Sequence, residues 1–498
     1  MSNQLMEELQ AIAGWSDEDM SQITIIGQDP VVHTRFKVGE SFAAVQAACG
    51  LAAAKLWELR TGGRKQHVTV DVSEAVAGLQ SFMYTRVTDA PPVDQNNEAS
   101  EAAAILESGF AFTGSYKTRD GRWFYIHAST DPWRILDLLG CEGTKESVEA
   151  VVADRDAQEL ENSFMQNGLN GCIIRSSDEW LETEQGKLLS RIPVVEINKI
   201  AETAPIPLPK GNRPLSGIRA LDLTRILAGP TASRTLAEHG SHVLWIGAEH
   251  LADVPIFTLD TGRGKQRAFI DLRTQEGINK LWGLVTQADV FGQSYRLGSK
   301  MGREFSAEAV ARQRPGIIYT HINAFGQKGP WSKMPGWEQL AQAATGIQLE
   351  ESKYPSAPID PDGVKMGGPL YLSFHQPQGQ PRIIGGAFCD YTAGYLTAFA
   401  TMVALYRRAT EGGSYVINTS LAQSAMALIR MGLLDEKEFM QKSDIVPISL
   451  INKLTIEEYG SLGHLQYLKP IVHMSETQPY YEHPTVPQGS SEPIWLAY

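Results

Sequence analysis

The chain is poor in cysteine. Cys49, Cys141, Cys172 and Cys389 are four thiols among 498 residues, and no two form a CxxC pair. That spacing excludes a cysteine zinc cluster and a disulfide scaffold, and it suits a reducing cytosol. No stretch offers about 18 uninterrupted apolar residues, so no membrane span is expected. Net positive charge is also missing. A formal charge of −13 argues against a nucleic-acid surface, although a local basic patch still suits a small anion. The opening MSNQLMEELQ lacks a basic region followed by an apolar one. No signal peptide is therefore expected, and the location is read as cytoplasmic. The dinucleotide pattern GxGxxG is absent from the strand-to-helix turn LTRILAGP (223–230), and WIGAEH carries no acid where that pattern needs one. GRGK at 262–265 lacks the P-loop spacing. His321, His375, His464 and His473 show no metal-ligand spacing, so they are read as structural and no metal is expected.

What is present is an ordinary globular composition, 43% hydrophobic and 20% charged, long enough for several domains. The clearest linker is TAPIPLPKGNRP (203–214), with four prolines and one glycine. After it, GIRALDL, HVLWIG, RAFIDL, DVFGQ and GIIYTHI read as strands. TASRTLAEHG and TQEGINKLWGLVTQA read as helices between them. Strands alternating with helices predict an α/β fold with a mostly parallel sheet, helices on both faces and the ligand at the strand C-termini.

The sequence also repeats itself. FAAVQAACGLAAAKLWELRTGGRKQHVTVDVSEAVAGL (42–79) resembles YTAGYLTAFATMVALYRRATEGGSYVINTSLAQSAMAL (391–428). Each reads as an Ala-rich helix, a turn, a strand and a second helix. Before the second copy stands GGAFCDYTAG (385–394), with one carboxylate, Asp390; the matching position in the first copy is Ser41. Two copies are too few for a solenoid, so the repeat reads as a partial internal duplication. Between the copies, SYKTRDGRWFYIHA (115–128) reads as a hairpin within a smaller α+β domain. The predicted boundaries are a partial copy at 1–90, the small domain at 91–202, the linker at 203–214, the main domain at 215–433 and an extended arm at 434–498.

Asp390 admits two readings. It is a helix N-cap, or it is an acid placed for chemistry beside a glycine-rich loop, Gly385-Gly386, whose backbone N–H groups can converge on an anion. Ser caps as well as Asp, and RIIGGAF before it looks strand-like. Glu338, in PGWEQLAQAATG (335–346), is either a solvated first-turn glutamate or a second acid. Lys265, Arg267, Arg273 and Arg296 lie near turns of the sheet domain. They are either solvated surface or a cradle for the phosphates of a nucleotide-bearing cofactor.

Residues 215–433 resemble the class III CoA-transferase family, the CaiB/BaiF group. The runs that carry the resemblance are LSGIRALDLTRILAGP, KQRAFIDLRTQEG, ADVFGQSYRLG, RPGIIYTHINAFGQKGPW, PGWEQLAQAATG and GGAFCDYTAGYLTAF, in family order. SYKTRDGRWFYIHA, NGLNGCIIRSSDEWL and LGHLQYLKPIVHMSET are similar to the family's small domain and tail. The resemblance implies a Rossmann-like sheet domain that binds coenzyme A. It implies a homodimer, transfer of CoA from an acyl-CoA to a small carboxylic acid, and Asp390 as nucleophile through an aspartyl anhydride and an aspartyl-CoA thioester. It further implies Glu338 beside the nucleophile, Gly385 and Gly386 as the oxyanion loop, and Ala228, Ile270, Arg273, Ser294, Tyr295 and Arg296 along the CoA site. Gly247, Ala248 and Leu227 depart from the family pattern. The family's racemase branch uses a Gly-His-Asp run, which here is Gly336-Trp337-Glu338; Trp337 cannot take a proton, which favours transfer over racemisation. A non-catalytic CoA-binding relative is the remaining alternative, suggested by the rearranged architecture.

Overall fold

The computed structural model describes residues 4–88, 109–128, 132–251, 253–372 and 374–496. The N-terminal unit rests on helices α1 (Val38–Thr61) and α2 (Val72–Leu79). α1 is buried along most of its length, as a helix that is apolar all round must be. Gly62, at φ 72°, takes the left-handed turn that ends it. The strand Val68–Asp71 pairs in parallel with Ile23–Ile26 and antiparallel with His473–Met474. Asp71 then caps α2, accepting the Ser73 N–H at 2.8 Å.

The main sheet has seven strands: β1 (Val195–Ala201), β2 (Arg219–Asp222), β3 (His242–Gly247), β4 (Lys265–Phe269), β5 (Val290–Gln293), β6 (Ile318–Asn323) and β7 (Ser414–Ser420). Their order is β4-β3-β2-β5-β6-β7-β1, parallel from β4 to β7, with β1 antiparallel at the edge. The chain winds outward from β2 to β4 and then adds β5 on the other side of β2. That reversal opens a crevice at the C-terminal ends of β2 and β5. Helix α3 (Ala228–Glu238) follows β2; α4 (Glu338–Thr345) and α5 (Phe388–Thr410) follow β6; α6 (Leu421–Arg430) follows β7. α5 lies between α3 and α1. Phe42 of α1 meets Tyr395 of α5 edge to face at 5.2 Å, and the Cys49 thiol donates to the Tyr395 carbonyl at 3.0 Å.

The smaller domain is a three-stranded sheet, Gly114–Lys117, Trp123–Ile126 and Gly171–Ile173, with helices Lys145–Ala153 and Ala157–Asn167. Phe124 and Phe164 stack edge to face at its core, 5.2 Å apart. Three expectations change. Residues 195–201, placed by sequence in the small domain, form the β1 edge of the main sheet. RIIGGAF is not a strand, because the Ile384 N–H donates to the Gln342 side chain and the Ala387 N–H to the Leu79 carbonyl. The stretch after 434, expected as an extended arm, holds helices Glu436–Phe439 and Ile448–Leu454, a hairpin, Thr455–Gly460 with Gly463–Leu468, and the short strand His473–Met474 before it runs as coil. Residues 89–108, which include the start of the expected 91–202 domain, lie outside the described residues. No helix among the described residues is long and apolar enough to cross a membrane.

Candidate active site

Asp390 is the third residue of α5, whose N-cap is Ala387 with no side-chain bond. The capping role belongs instead to Glu338. Its Oε1 accepts the Cys389 N–H at 3.0 Å and its Oε2 accepts the Asp390 N–H at 2.7 Å. The Gln342 amide, one turn along α4, donates to Glu338 Oε1 at 2.6 Å, while its oxygen accepts the Ile384 N–H at 2.9 Å. A buried carboxylate from α4 therefore satisfies the first N–H groups of α5, where negative charge also suits the helix dipole. Two acids separated by 52 residues become neighbours through the backbone of one of them.

Burial pushes the Asp390 carboxyl well above its ordinary value, and the Glu338 charge pushes it further. Burial raises Glu338 too, against the N–H of Cys389, the Gln342 amide and the N–H of Asp390, which all favour its charged form. The pair thus shares a poorly solvated pocket in which ionising both acids together is costly.

Asp390 opens on a cavity of about 380 Å³ at the crevice predicted by the strand order. Its walls come from the turn after β2, the turn after β5, the end of β6, the turn before α4, Leu421 of α6 and Asn170 of the small domain. Ile226, in the first of these turns, sits at φ 72°, a conformation that costs a β-branched residue strain and that clusters at functional sites. Arg225, Arg296 and Lys333 give the cavity a basic wall. Burial lowers Arg225 from its ordinary value, with Asp253 opposing.

Of the residues expected along the CoA site, Ala228, Ser294, Tyr295 and Arg296 line this cavity together with Asp390. Ile270 and Arg273 are not among its lining residues. Ile270 is buried in the core beside Leu244 and Ile278, and Arg273 grips Asp271, with its Nη2 at 2.8 Å. Gly385 and Gly386 also stand off the lining. Gly386 has φ 111°, and a Cβ there would lie 2.9 Å from the Leu79 carbonyl oxygen, so glycine is needed for close contact with the N-terminal unit. Lys265 and Arg267 are buried. The Lys265 ammonium donates to the Pro230 carbonyl at 2.7 Å, and burial lowers it to about 7; Arg267 donates to the Val486 carbonyl at 3.0 Å. At Gly247 a Cβ would fall 2.3 Å from the Gln488 amide, so the C-terminal coil fills the end of β3.

His321, read from sequence as structural, lines the cavity. Its Nε2 donates to the Tyr295 carbonyl at 3.2 Å, and burial lowers it to about 4. Arg225 and Ile226 were also missed as lining residues, although they sit in LTRILAGP, the strand-to-helix turn that lacks the dinucleotide pattern. Trp337 lines the cavity and stacks on His127, ring centres 4.4 Å apart; burial lowers His127 to about 3. Among the described residues no group of three or more His, Cys, Asp or Glu is placed to hold a metal.

The CoA-transferase family III pattern matches residues 9–207 and 215–447, which together are most of the chain. The protein belongs to CoA-transferase family III. As such it is an enzyme of the CoA-transferase class. It is 31% identical over 457 residues to an acyl-CoA transferase of Gibberella moniliformis, covering 85% of this chain and 76% of that one. It is 29% identical over 445 residues to acetyl-coenzyme A transferase nodX of Hypoxylon pulicicidum, covering 82% of this chain and 71% of that one. Among solved structures it is similar to a CAIB/BAIF family protein from Brucella suis, with 25% identity, a TM-score of 0.36, and coverage of 46% of this chain and 60% of that one.

Proposed function

We propose that this family III enzyme moves CoA from an acyl-CoA to a small carboxylic acid, with Asp390 as the covalent nucleophile. The observation that carries the reading is one partly exposed carboxylate at a cavity mouth, its own N–H held by a second, buried carboxylate. Asp390 attacks the thioester carbonyl, the C–S bond breaks, and the thiolate leaves with an acyl-aspartyl anhydride behind it. The thiolate then attacks the Asp390 carbonyl carbon, releasing the donor acid and leaving an aspartyl-CoA thioester. An acceptor carboxylate reverses the two steps and departs as its CoA thioester, restoring free Asp390. A carboxylate is a weak nucleophile, and partial desolvation with fixed placement activates it. Arg225, Arg296 and Lys333 supply charge complementary to the phosphates of CoA, and Ala228, Ser294 and Tyr295 line the path towards them. Gly385 and Gly386 serve the nucleophile through the loop's shape rather than by lining the cavity.

Racemisation is the weaker reading. It needs a second base free to take an α-proton. Trp337 supplies none, His127 and His321 are too weakly basic, lowered by burial to about 3 and about 4, and Glu338 commits both carboxylate oxygens to the N–H groups of Cys389 and Asp390. The four cysteines are free, in keeping with a cytoplasmic location. A homodimer is the proposed assembly, although the cavity itself draws on both the main and the small domain of a single chain.

The test pairs two assays in D₂O. CoA is expected to pass to free carboxylic acids with ping-pong kinetics, and a 2-methylacyl-CoA is expected to gain no deuterium at C2. Rapid C2 exchange that vanishes in both Glu338→Gln and Asp390→Asn would overturn the reading in favour of a two-acid racemase.

A further inference from the structure

The N-terminal unit lacks the acid, yet it reaches the acid of the other unit twice. Four residues before Asp390, Gly386 lies so close to the Leu79 carbonyl that a Cβ would stand 2.9 Å from its oxygen. The next residue, Ala387, donates its N–H to the same oxygen at 3.2 Å. One residue after Asp390, the Tyr391 hydroxyl donates to Asp260 at 2.7 Å and lies 3.0 Å from the Ser81 hydroxyl. Ser81 also donates to Asp260, at 2.9 Å. Leu79 ends α2, and Ser81, two residues on, opens the short helix Ser81–Tyr84.

Both holds are rigid. Asp260 is fully buried, and burial alone would raise its carboxyl; the Arg234 and Arg263 guanidiniums override that and keep it below its ordinary value. It is therefore a fixed, charged acceptor for Tyr391. Between the two contact points, the Gln80 side chain accepts from the Tyr84 hydroxyl at 2.6 Å and donates to the Asp444 carbonyl at 2.7 Å. The Phe82 ring stacks on Tyr391, centres 6.4 Å apart. The units meet elsewhere too, through apolar contact, as where Trp15 meets Phe399, and through polar contact, as where Arg430 donates to Glu8 at 2.8 Å. The contacts made by Leu79 and Ser81 are the ones that flank the nucleophile.

We propose that Leu79–Ser81 is a positioning element for Asp390: the unit without the acid clamps the helix start that carries it, from both sides. Ser81 and Tyr391 are its positioning residues, acting through Asp260, and Gly386 is the point of backbone contact. Misplacing a reacting group by about 1 Å costs about a hundredfold in rate, so a modest slackening at this clamp is readable in kcat. The proposal rests on Asp390 as nucleophile.

The experiment measures steady-state kinetics, melting temperature and the single-turnover rate of adduct formation on Asp390, with an acyl-CoA as probe. Ser81→Ala and Tyr391→Phe are expected to lower kcat and the adduct rate about tenfold, with KM nearly unchanged. Ser81→Thr keeps the hydroxyl and is expected to recover most of that loss. Gly386→Ala is expected to cost about a hundredfold. Trp15→Leu loosens the apolar contact with Phe399, nine residues along α5 from Asp390; it is expected to lower the melting temperature and leave kcat in place. Adduct formation at the wild-type rate in Ser81→Ala and Tyr391→Phe would overturn the clamp. So would an equal loss of kcat in Trp15→Leu. Absence of any Asp390 adduct in the wild type would instead overturn the nucleophile, and the clamp with it.

Discussion

The two repeated units differ most at one position. α1 and α5 are both long buried helices, each followed by a strand and a capped second helix: Asp71 caps α2, and Ser420 caps α6 by accepting the Gln423 N–H at 3.2 Å. At the matched site, however, Ser41 is fully buried in the fourth position of α1, and its hydroxyl has no hydrogen-bond partner among the described residues. Asp390 faces the cavity and has Glu338 at its back. The lesson is that the helix alone does not make the site. The second unit follows a strand whose end lines the crevice, and a helix that carries Glu338. The first unit has neither arrangement at Ser41, and it has kept the packing while its end meets the other unit.

The sharpest way to break that comparison is to remove the one acid. Asp390→Asn keeps the size and the backbone N–H that Glu338 holds, so the fold is expected to survive with an unchanged circular dichroism spectrum. CoA transfer is expected to fall by about four or more powers of ten, because covalent catalysis goes with it. Near-native turnover in a CoA-exchange assay would remove Asp390 from the chemistry.

A smaller effect is expected at Glu338. Glu338→Gln removes a negative charge beside Asp390, so the Asp390 carboxyl becomes easier to ionise and its pKa falls. The acid limb of the kcat profile should therefore move to lower pH. Glutamine has one oxygen where two accepted N–H groups, so part of the hold on α5 is lost, and transfer is expected to drop about tenfold to a hundredfold. An acid limb that stays in place or moves up would show that the two acids are not electrostatically linked.

Much of this was legible in the sequence. The strand and helix alternation after 214 predicted the parallel sheet, and the repeat predicted two units with an acid in only one. Asp390 and Glu338 were singled out, and the family resemblance implied that they are neighbours, but the hold of one on the backbone N–H groups of the other was not foreseen. A cap that arrives from a separate helix leaves no local pattern, so Asp390 looked like its own cap and Glu338 like a solvated first-turn acid. The basic residues misled for a similar reason. Lys265, Gln266 and Arg267 make a polar run at the start of β4 that reads as surface, yet Lys265 and Arg267 meet the Pro230 and Val486 carbonyls inside the fold. His321 was passed over because β6 carries it in a strand with no ligand spacing, and only the strand order puts its end at the crevice.

The smallest effect is expected in the silent unit. Ser41 is not a cap, contrary to what its match to Asp390 suggested, and its buried hydroxyl is unsatisfied. Ser41→Ala should leave transfer within a few-fold of wild type. It should keep or slightly raise the melting temperature, since removing an unpaired buried polar group relieves a penalty of about 1 kcal/mol. A loss of transfer as deep as that of Asp390→Asn would mean a second working site in the first unit.

The most direct test of the account is to catch the covalent enzyme. Wild type and Asp390→Asn are incubated with a panel of acyl-CoAs, measured as intact proteins by mass spectrometry, and digested to locate any added mass. The expected result is an adduct on the peptide that contains Asp390, discharged by an acceptor carboxylic acid and absent from the variant. An adduct that persists in Asp390→Asn, or one that maps to another residue such as Cys389, would contradict the account.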